Sequence, residues 1–337
     1  MPSRLRSVAI LAVAAVLALI AAACQQAPGP KKAPQTVLVW GGPKNISMVP
    51  IIADTKGFFK AEGLDVRPNY LQTGKIAMDA VVSGDLNLGI IVETNIAFVK
   101  FQQGADVKVV ASLLRKHDDA IIARADQHIR KPKDLEGKSI AIVPGTTSHR
   151  FADLFIDFYK LNARKIQFLN QTSPASIQAS VLNGSIPAGS VWEPFRYNIQ
   201  QALGDKVVQF NDRAIYTAYG LLAVRGDFAR REPAAIQAFL RALIRAEAFI
   251  RDHPDEAIQI LGRELSIDPK ILSSIWGEYE MNVRLDESLV KVFVSTGEWA
   301  KRTQAGFADK PVPAYTDVLD PSFLSGVDPA KVTHAAN

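Results

Sequence analysis

QTGKIAMDAVVSGDLNLGIIVE (72–93) and QTSPASIQASVLNGSIPAGSVWE (171–193) read as one pattern written twice. With one inserted residue in the second copy, Gln72/Gln171, Thr73/Thr172, Val81/Val181, Gly84/Gly184, Gly89/Gly189 and Glu93/Glu193 coincide. Each copy is a helical run, ending near Val82 or Leu182. A glycine stop follows, then a short apolar strand, Leu86 to Val92 or Ile186 to Trp192, that finishes on a glutamate.

The match extends outward. Val37 to Trp40 is a strand closed by Gly41-Gly42-Pro43, and residues 46–61 carry apolar positions at helical spacing up to Gly63. Leu64 to Leu71 is a second strand. About 100 residues on, Ser139 to Val143 is a strand closed by Pro144-Gly145. A helix over 148–161 and a strand from Ile166 to Leu169 follow. Alternating strands and helices predict mainly parallel sheets with helices on both faces. Two further strands, Ala120 to Arg124 and Leu221 to Arg225, read as crossovers between the halves. The fold class is therefore α/β with two lobes. Residues 36–119 and 220–320 form lobe 1, 120–219 form lobe 2, and 321–337 are a C-terminal tail. The remainder of lobe 1 reads as packing helices, one started by Pro233 with Ile236, Phe239, Leu240, Leu243, Ala246 and Ile250 on one face. Others start at Pro254 and Pro269, and Asp286 is the expected cap of a last one.

Composition narrows the class. The 337 residues suit about two domains, and 48% hydrophobic with 22% charged residues is ordinary for a globular chain. The net charge of +5 falls to +3 without Arg4 and Arg6, too little and too scattered for a nucleic-acid protein. One cysteine and five histidines exclude a disulfide framework and a Cys-rich zinc site. Arg4 and Arg6 precede an apolar run from Val8 to Ala23, 16 residues long and short for a spanning helix. Ala21-Ala22-Ala23 then meets Cys24. Residues 1–23 resemble a bacterial lipoprotein signal peptide, in which Cys24 becomes the lipidated first residue. The Pro-rich stretch 24–35 reads as a tether.

Ligands of open parallel sheets sit beyond the strand ends, beside helix N-termini whose free N–H groups favour anions. Gly145, Thr146, Thr147, Ser148 and His149 place a turn, three hydroxyls and an imidazole there. Simple N-capping is the plainer use of one such hydroxyl. Glu93, Thr94, Trp192 and Glu193 end the matched strands, where the carboxylates can receive an amine and the indole can cover a ligand. Gly42, Gln72 and Thr73 offer backbone donors, or with Pro43 are turns only. Tyr216 and Tyr219 wall the cleft or pack.

KGFFKAEGLDV (56–66), AVVSGDLNLGI (80–90), DLEGKSIAIVPGTTSH (134–149) and VLNGSIPAGSVWEPF (181–195) resemble the type II solute-binding proteins of ABC importers. The similar group serves nitrate, aliphatic sulfonates, taurine and thiamine-pyrimidine precursors. The resemblance implies a two-lobed periplasmic-binding-protein-like fold with a ligand cleft between the lobes. It implies a monomer that delivers a small anion or zwitterion to an ABC permease, lipid-anchored to a bacterial membrane and facing the periplasm or exterior. Thr146, Thr147, Ser148 and His149 would face the anionic group. An organosulfonate or taurine-like solute comes first, with nitrate, bicarbonate or a pyrimidine precursor as alternatives. The resemblance calls for no catalysis, cofactor or metal. Enzymes on this fold need a nucleophilic thiol or a Cys-rich run, and no cysteine follows Cys24. Gly137-Lys138-Ser139 mimics a P-loop end but has Pro132 where the first glycine belongs. His117-Asp118-Asp119 reads as a polar turn. An enzyme on the same fold is the alternative of another class, and a lipid-anchored sensor or adhesion module is a third.

Overall fold

The computed structural model describes residues 36–304 and 306–334. The expected signal peptide, the tether and Cys24 lie outside the described residues. Among the described residues, no helix is long and apolar enough to cross a membrane.

The first sheet is built from β1 (Thr36–Gly42), β2 (Leu64–Tyr70), β3 (Leu88–Val92) and β4 (Val107–Lys116), with β10 (Ala218–Arg225), β11 (Tyr279–Asp286) and β12 (Val332–Thr333). Its order is β12-β11-β4-β10-β3-β1-β2. The second holds β5 (Ala120–Arg124), β6 (Ser139–Ile142), β7 (Gln167–Asn170), β8 (Ala188–Val191) and β9 (Val207–Phe210), in the order β7-β6-β8-β5-β9. Helices α1 (Met48–Thr55), α2 (Phe58–Ala61), α3 (Gly74–Ser83) and α4 (Glu93–Gln103) alternate with β1 to β4. In the second half, α5 (Thr147–Phe158), α6 (Pro174–Leu182) and α7 (Phe195–Leu203) alternate with β6 to β9. After β10 come α8 (Gly226–Arg231), α9 (Pro233–Asp252), α10 (Pro254–Leu265) and α11 (Pro269–Ile275). Then follow β11, α12 (Leu289–Thr303) and α13 (Ser322–Ser325).

The matched residues coincide because packing demands them. Gly84 and Gly184 sit at positive φ, 94° and 77°, where the helices α3 and α6 stop. A Cβ on Gly89 would lie 2.6 Å from Val81 Cγ2, and one on Gly189 would lie 3.2 Å from Val181 Cγ2. In each half a glycine lets the helix lie directly on the strand, and the valine is what lies there. A Cβ on Gly189 would also meet Ile177 Cγ2 at 2.4 Å, and Ile177 and Val181 are fully buried. Both sheets are covered on both faces, the second by one apolar cluster around Phe151 and Phe155 and another around Ile177 and Ile199.

The sheets are mixed rather than mainly parallel. β2-β1-β3 and β7-β6-β8 are parallel, as helical crossovers require. β10, however, runs antiparallel to both β3 and β4, and β5 antiparallel to both β8 and β9. These are the two strands that arrive from the other lobe. They enter without a helix over the sheet face, so nothing turns them parallel. Two further differences concern the C-terminal part. Residues 279–286, expected among helices, form β11 against β4. The stretch expected as a tail adds α13 and then β12, where Val332 pairs with Leu285 at the sheet edge.

Candidate functional site

The strand order reverses between β1 and β3 and again between β6 and β8, so the helices that follow these strands open toward the region between the lobes. The helices after the outer strands are closed by their own side chains. Thr73 Oγ1 accepts the Ile76 N–H of α3 at 3.3 Å, and Ser173 Oγ accepts the Ser176 N–H of α6 at 3.2 Å. Helices α4 and α5 are different. The residue before α4 is Val92, which has no acceptor. The residue before α5 is Thr146, whose Oγ1 turns back to the Val143 carbonyl at 2.7 Å and to Ser148 Oγ at 3.1 Å. The first-turn amides of both helices therefore take no side-chain cap, at the dipole end that favours negative charge.

The turn before α5 lies against the Phe98 ring of α4. Gly145 has φ +75°, and a Cβ on it would stand 3.2 Å from Phe98 Cε2 of α4. The Gly145 N–H donates to His149 Nδ1 at 3.2 Å, which leaves the ring proton on Nε2. The His149 ring is wedged edge-on between Phe168 and Trp299, with centroids 5.5 and 5.1 Å away. Burial holds its pKa down at about 4, so the imidazole is neutral at physiological pH. Thr147 and Ser148 are buried: Thr147 Oγ1 donates to Asp119 Oδ1 at 3.0 Å, and the Ser148 carbonyl accepts from Ser190 Oγ at 2.7 Å.

The other candidates divide. Thr94 is fully buried beside Glu93, and its Oγ1 has no partner. Trp192 is half-buried with Lys116 Nζ 5.8 Å over its ring. Gly42 is packed on backbone, since a Cβ there would lie 2.3 Å from the Ile90 carbonyl oxygen, and its own carbonyl accepts from the Leu71 N–H. The Pro43 carbonyl accepts from Ser47 Oγ at 2.8 Å. Gln72 and Thr73 are exposed, and Thr73 is the cap described above. The two glutamates are spent inside the protein, which corrects the expectation of free carboxylates for an amine. Glu93 accepts from the Tyr216 hydroxyl and from the Tyr219 N–H at 3.0 Å. Glu193 accepts from Arg196 Nε at 2.6 Å and the Tyr197 N–H at 2.9 Å, and burial pushes its pKa up against the pull of Arg196.

The sequence reading passed over the charged network around these groups. Residues 117–119 are the outgoing connection from β4 to β5, and 211–217 are the return from β9 to β10. Lys116 Nζ is buried against Asp118 Oδ1 and, at 3.1 Å, Asp119 Oδ2. Burial acts to lower the Lys116 pKa, but the two aspartates overcome it and hold the ammonium charged. Asp118 also accepts from the Tyr279 hydroxyl at 3.2 Å. Burial pushes the Asp119 carboxyl up to about 6, with Lys116 pulling the other way. Asp118 and Asp119 thus tie the outgoing connection to β4, β11 and α5, rather than forming a solvated turn. Arg150 of α5 reaches α12, donating to Thr296 Oγ1 and, at 3.0 Å, to Ser295 Oγ. Trp299 Nε1 of α12 donates to Asp153 at 3.0 Å.

The sequence model described as NMT1/THI5 like matches residues 45–257. A putative aliphatic sulfonates-binding protein of Bacillus subtilis (strain 168) is 24% identical over 280 residues, 81% of this chain and 83% of that one. The taurine-binding periplasmic protein of Escherichia coli (strain K12) is 27% identical over 201 residues, 59% and 61% of the two chains. Among solved structures, the periplasmic aliphatic sulphonate binding protein SsuA from Escherichia coli superposes with a TM-score of 0.74 at 18% identity, over 87% of this chain and 100% of that one. The two mixed sheets with flanking helices are thus a periplasmic-binding-protein fold.

Proposed function

We propose, from the premise that this chain belongs to the NMT1/THI5-like family, that it is the solute-binding component of an ABC importer and captures a small organosulfonate or taurine-like solute between its lobes. One observation carries the reading. Helices α4 and α5, like α1 and α7 that also follow inner strands, start without side-chain caps, whereas α3 and α6 after the outer strands are capped. An anion at the opening of α5 gains that helix's first-turn amides and dipole without displacing a cap, whereas the same end of α4 already carries Glu93. Thr94, Thr146, Ser148, the neutral His149 and Trp192 complete the proposed lining. The unpartnered Thr94 hydroxyl, the His149 Nε2–H and the first-turn amides of α5 donate to oxyanion oxygens, and the rings exclude water. The relatives described above are binding proteins, which supports capture without catalysis.

In this reading the lobes part at the two connections, 117–119 and 211–217, and close through the contacts of α5 with α12. The solute passes to the membrane subunits of an ABC permease, and lipid on Cys24 keeps the receptor at the membrane facing the periplasm or exterior.

The test is a thermal-shift and calorimetry panel of ethanesulfonate, taurine, nitrate, bicarbonate and a hydroxymethylpyrimidine. A ligand at about 100 times its Kd stabilises by about 2.7 kcal/mol. At about 2.1 cal/mol/K per residue, that raises the Tm of the roughly 300-residue folded unit by about 4 °C. A rise with a sulfonate supports the reading. A rise with a pyrimidine alone, or with none of the panel, refutes it.

A further inference from the structure

We propose that Arg150 is the counter-charge for the solute, so that only a solute with a full negative charge, not a neutral molecule of the same shape, completes the site. The inference rests on the receptor reading above and narrows its ligand to one that carries an ionised oxyanion group.

The described residues contain three cationic side chains buried below a tenth of their surface: Lys116 at 2%, Arg150 at 4% and Arg196 at 5%. Lys116 has Asp118 and Asp119. Arg196 has Glu193 at 2.6 Å and Glu278 at 3.3 Å. Among the described residues, Arg150 has no carboxylate within ion-pair distance. Its partners are two hydroxyls, Thr296 and Ser295, and two ring faces, Tyr216 at 5.6 Å and Trp299 at 5.8 Å. Its Nε is buried with no partner at all.

The nearby acids are already committed. Glu93 holds the Tyr216 hydroxyl and the Tyr219 N–H, Asp119 holds Lys116 and Thr147, and Asp153 holds Trp299 Nε1. A guanidinium cannot escape burial by losing its proton. Hydroxyls and ring faces solvate it only in part, and an unpaired buried ion is expensive. The unpartnered Nε, beside a terminal nitrogen already engaged, leaves Arg150 short of the acceptor that a carboxylate, sulfonate or similar oxyanion provides. Arg150 is also the fourth residue of α5, within the first turn and a little beyond of the dipole end that attracts the same charge. Because it already bridges α5 to α12, an anion bound there is shared between the lobes and favours their closure.

The experiment needs the wild-type protein first. Ethanesulfonate and ethanesulfonamide are close in size, and only the first is charged at pH 7. Ethanesulfonate is expected to raise the Tm and ethanesulfonamide to leave it unchanged. Calorimetry on Arg150→Gln is then expected to show ethanesulfonate binding weakened about thirtyfold or more, in line with truncating one side of a buried charge pair. Arg150→Lys should recover part of the loss. Equal stabilisation by the sulfonamide overturns the inference and leaves the receptor reading intact, and so does wild-type affinity in Arg150→Gln. If Arg150→Gln does not fold, the isostere comparison decides alone. If the wild-type protein responds to no anion, the receptor reading fails and this inference fails with it.

Discussion

Replacing Lys116 by Met probes the network on which the outgoing connection is built. The methionine is close in length and apolar, so the change removes a charge more than it opens a cavity. It leaves Asp118 and Asp119 buried together, with the Tyr279 hydroxyl and the Thr147 hydroxyl as their remaining side-chain donors. Breaking a buried ion pair from one side costs about 3–5 kcal/mol. At about 2.1 cal/mol/K per residue over roughly 300 folded residues, the entropy of melting is about 0.6 kcal/mol/K. The expected fall in Tm at pH 7.5 is therefore about 5–8 °C. The pH dependence has a definite sign. Asp119 titrates at about 6 in the folded state, above its ordinary 3.8, because burial outweighs Lys116. Between those values the folded protein holds a proton that the unfolded chain has released. Its stabilising effect is complete below pH 3.8 and disappears as pH rises through 6. Without Lys116 the Asp119 carboxyl moves further up, so the deficit of the variant is largest above pH 6 and shrinks by pH 5. Scanning calorimetry at pH 7.5 and pH 5 reads both quantities. A deficit below 2 °C at pH 7.5, or one of equal size at both values, refutes the reasoning.

Tyr216→Phe removes a hydroxyl that donates to the buried Glu93 carboxylate. A hydrogen bond to a charged group is worth about 1.5–3 kcal/mol, so calorimetry should show a Tm lower by about 2–5 °C. His149 has its pKa lowered by burial from 6.5 to about 4; its stabilising contribution is complete above pH 6.5 and is lost as pH falls through 4. Urea unfolding of His149→Phe should therefore show the gap to wild type narrowing from pH 7.5 to pH 5, and a constant gap contradicts the buried neutral ring. Cys24→Ser should move the protein from the membrane fraction to the soluble one, read by fractionation; full membrane retention removes the lipid anchor.

Much of the fold was legible because the repeated residues are backbone requirements. Gly84 and Gly184 stop helices at positive φ, and Gly89 with Val81 and Gly189 with Val181 set helix on strand. Such constraints act over ten residues and show in any aligned copy. Strand direction is not local. β5 and β10 look like every other apolar run, and their antiparallel sense follows from the lobe they arrive from. β11 was missed although Tyr279, Met281, Val283 and Leu285 alternate, because it follows three helices and its partner β4 lies about 165 residues earlier.

The site was legible only where its chemistry is contiguous. The hydroxyl run at α5 is visible as a helix opening, whereas Thr73, read as a donor or a turn, proves to be a cap. The hydrogen bonds that anchor the charged groups are invisible because their partners are far apart in the chain: Asp118 with Tyr279, Glu93 with Tyr216, and Arg150 with Thr296 are separated by 161, 123 and 146 residues. No spacing rule reaches that far, and each residue alone looks like ordinary surface charge.

The repeat also explains why the matched glutamates mislead. Glu93 and Glu193 end equivalent strands, and each ties its strand end to one connection between the lobes. Glu93 does so by accepting from Tyr216 and Tyr219 on the return path, and Glu193 by donating its main-chain N–H to Asp118 on the outgoing path at 3.4 Å. What the two halves share is therefore bracing of the hinge. A duplicated element presents the same face from both sides and cannot orient a solute with one charged end. Orientation must come from what the second half has alone, and at this place that is the opening of α5. Its counterpart in the first half, the start of α1, carries Met48, Val49 and Pro50, all buried, where α5 carries Thr147, Ser148 and His149 followed by Arg150. In the proposed reading the polarity of capture resides in α5, and exchanging its first turn should change which solute binds while leaving the contacts of residues 117–119 and 211–217 in place.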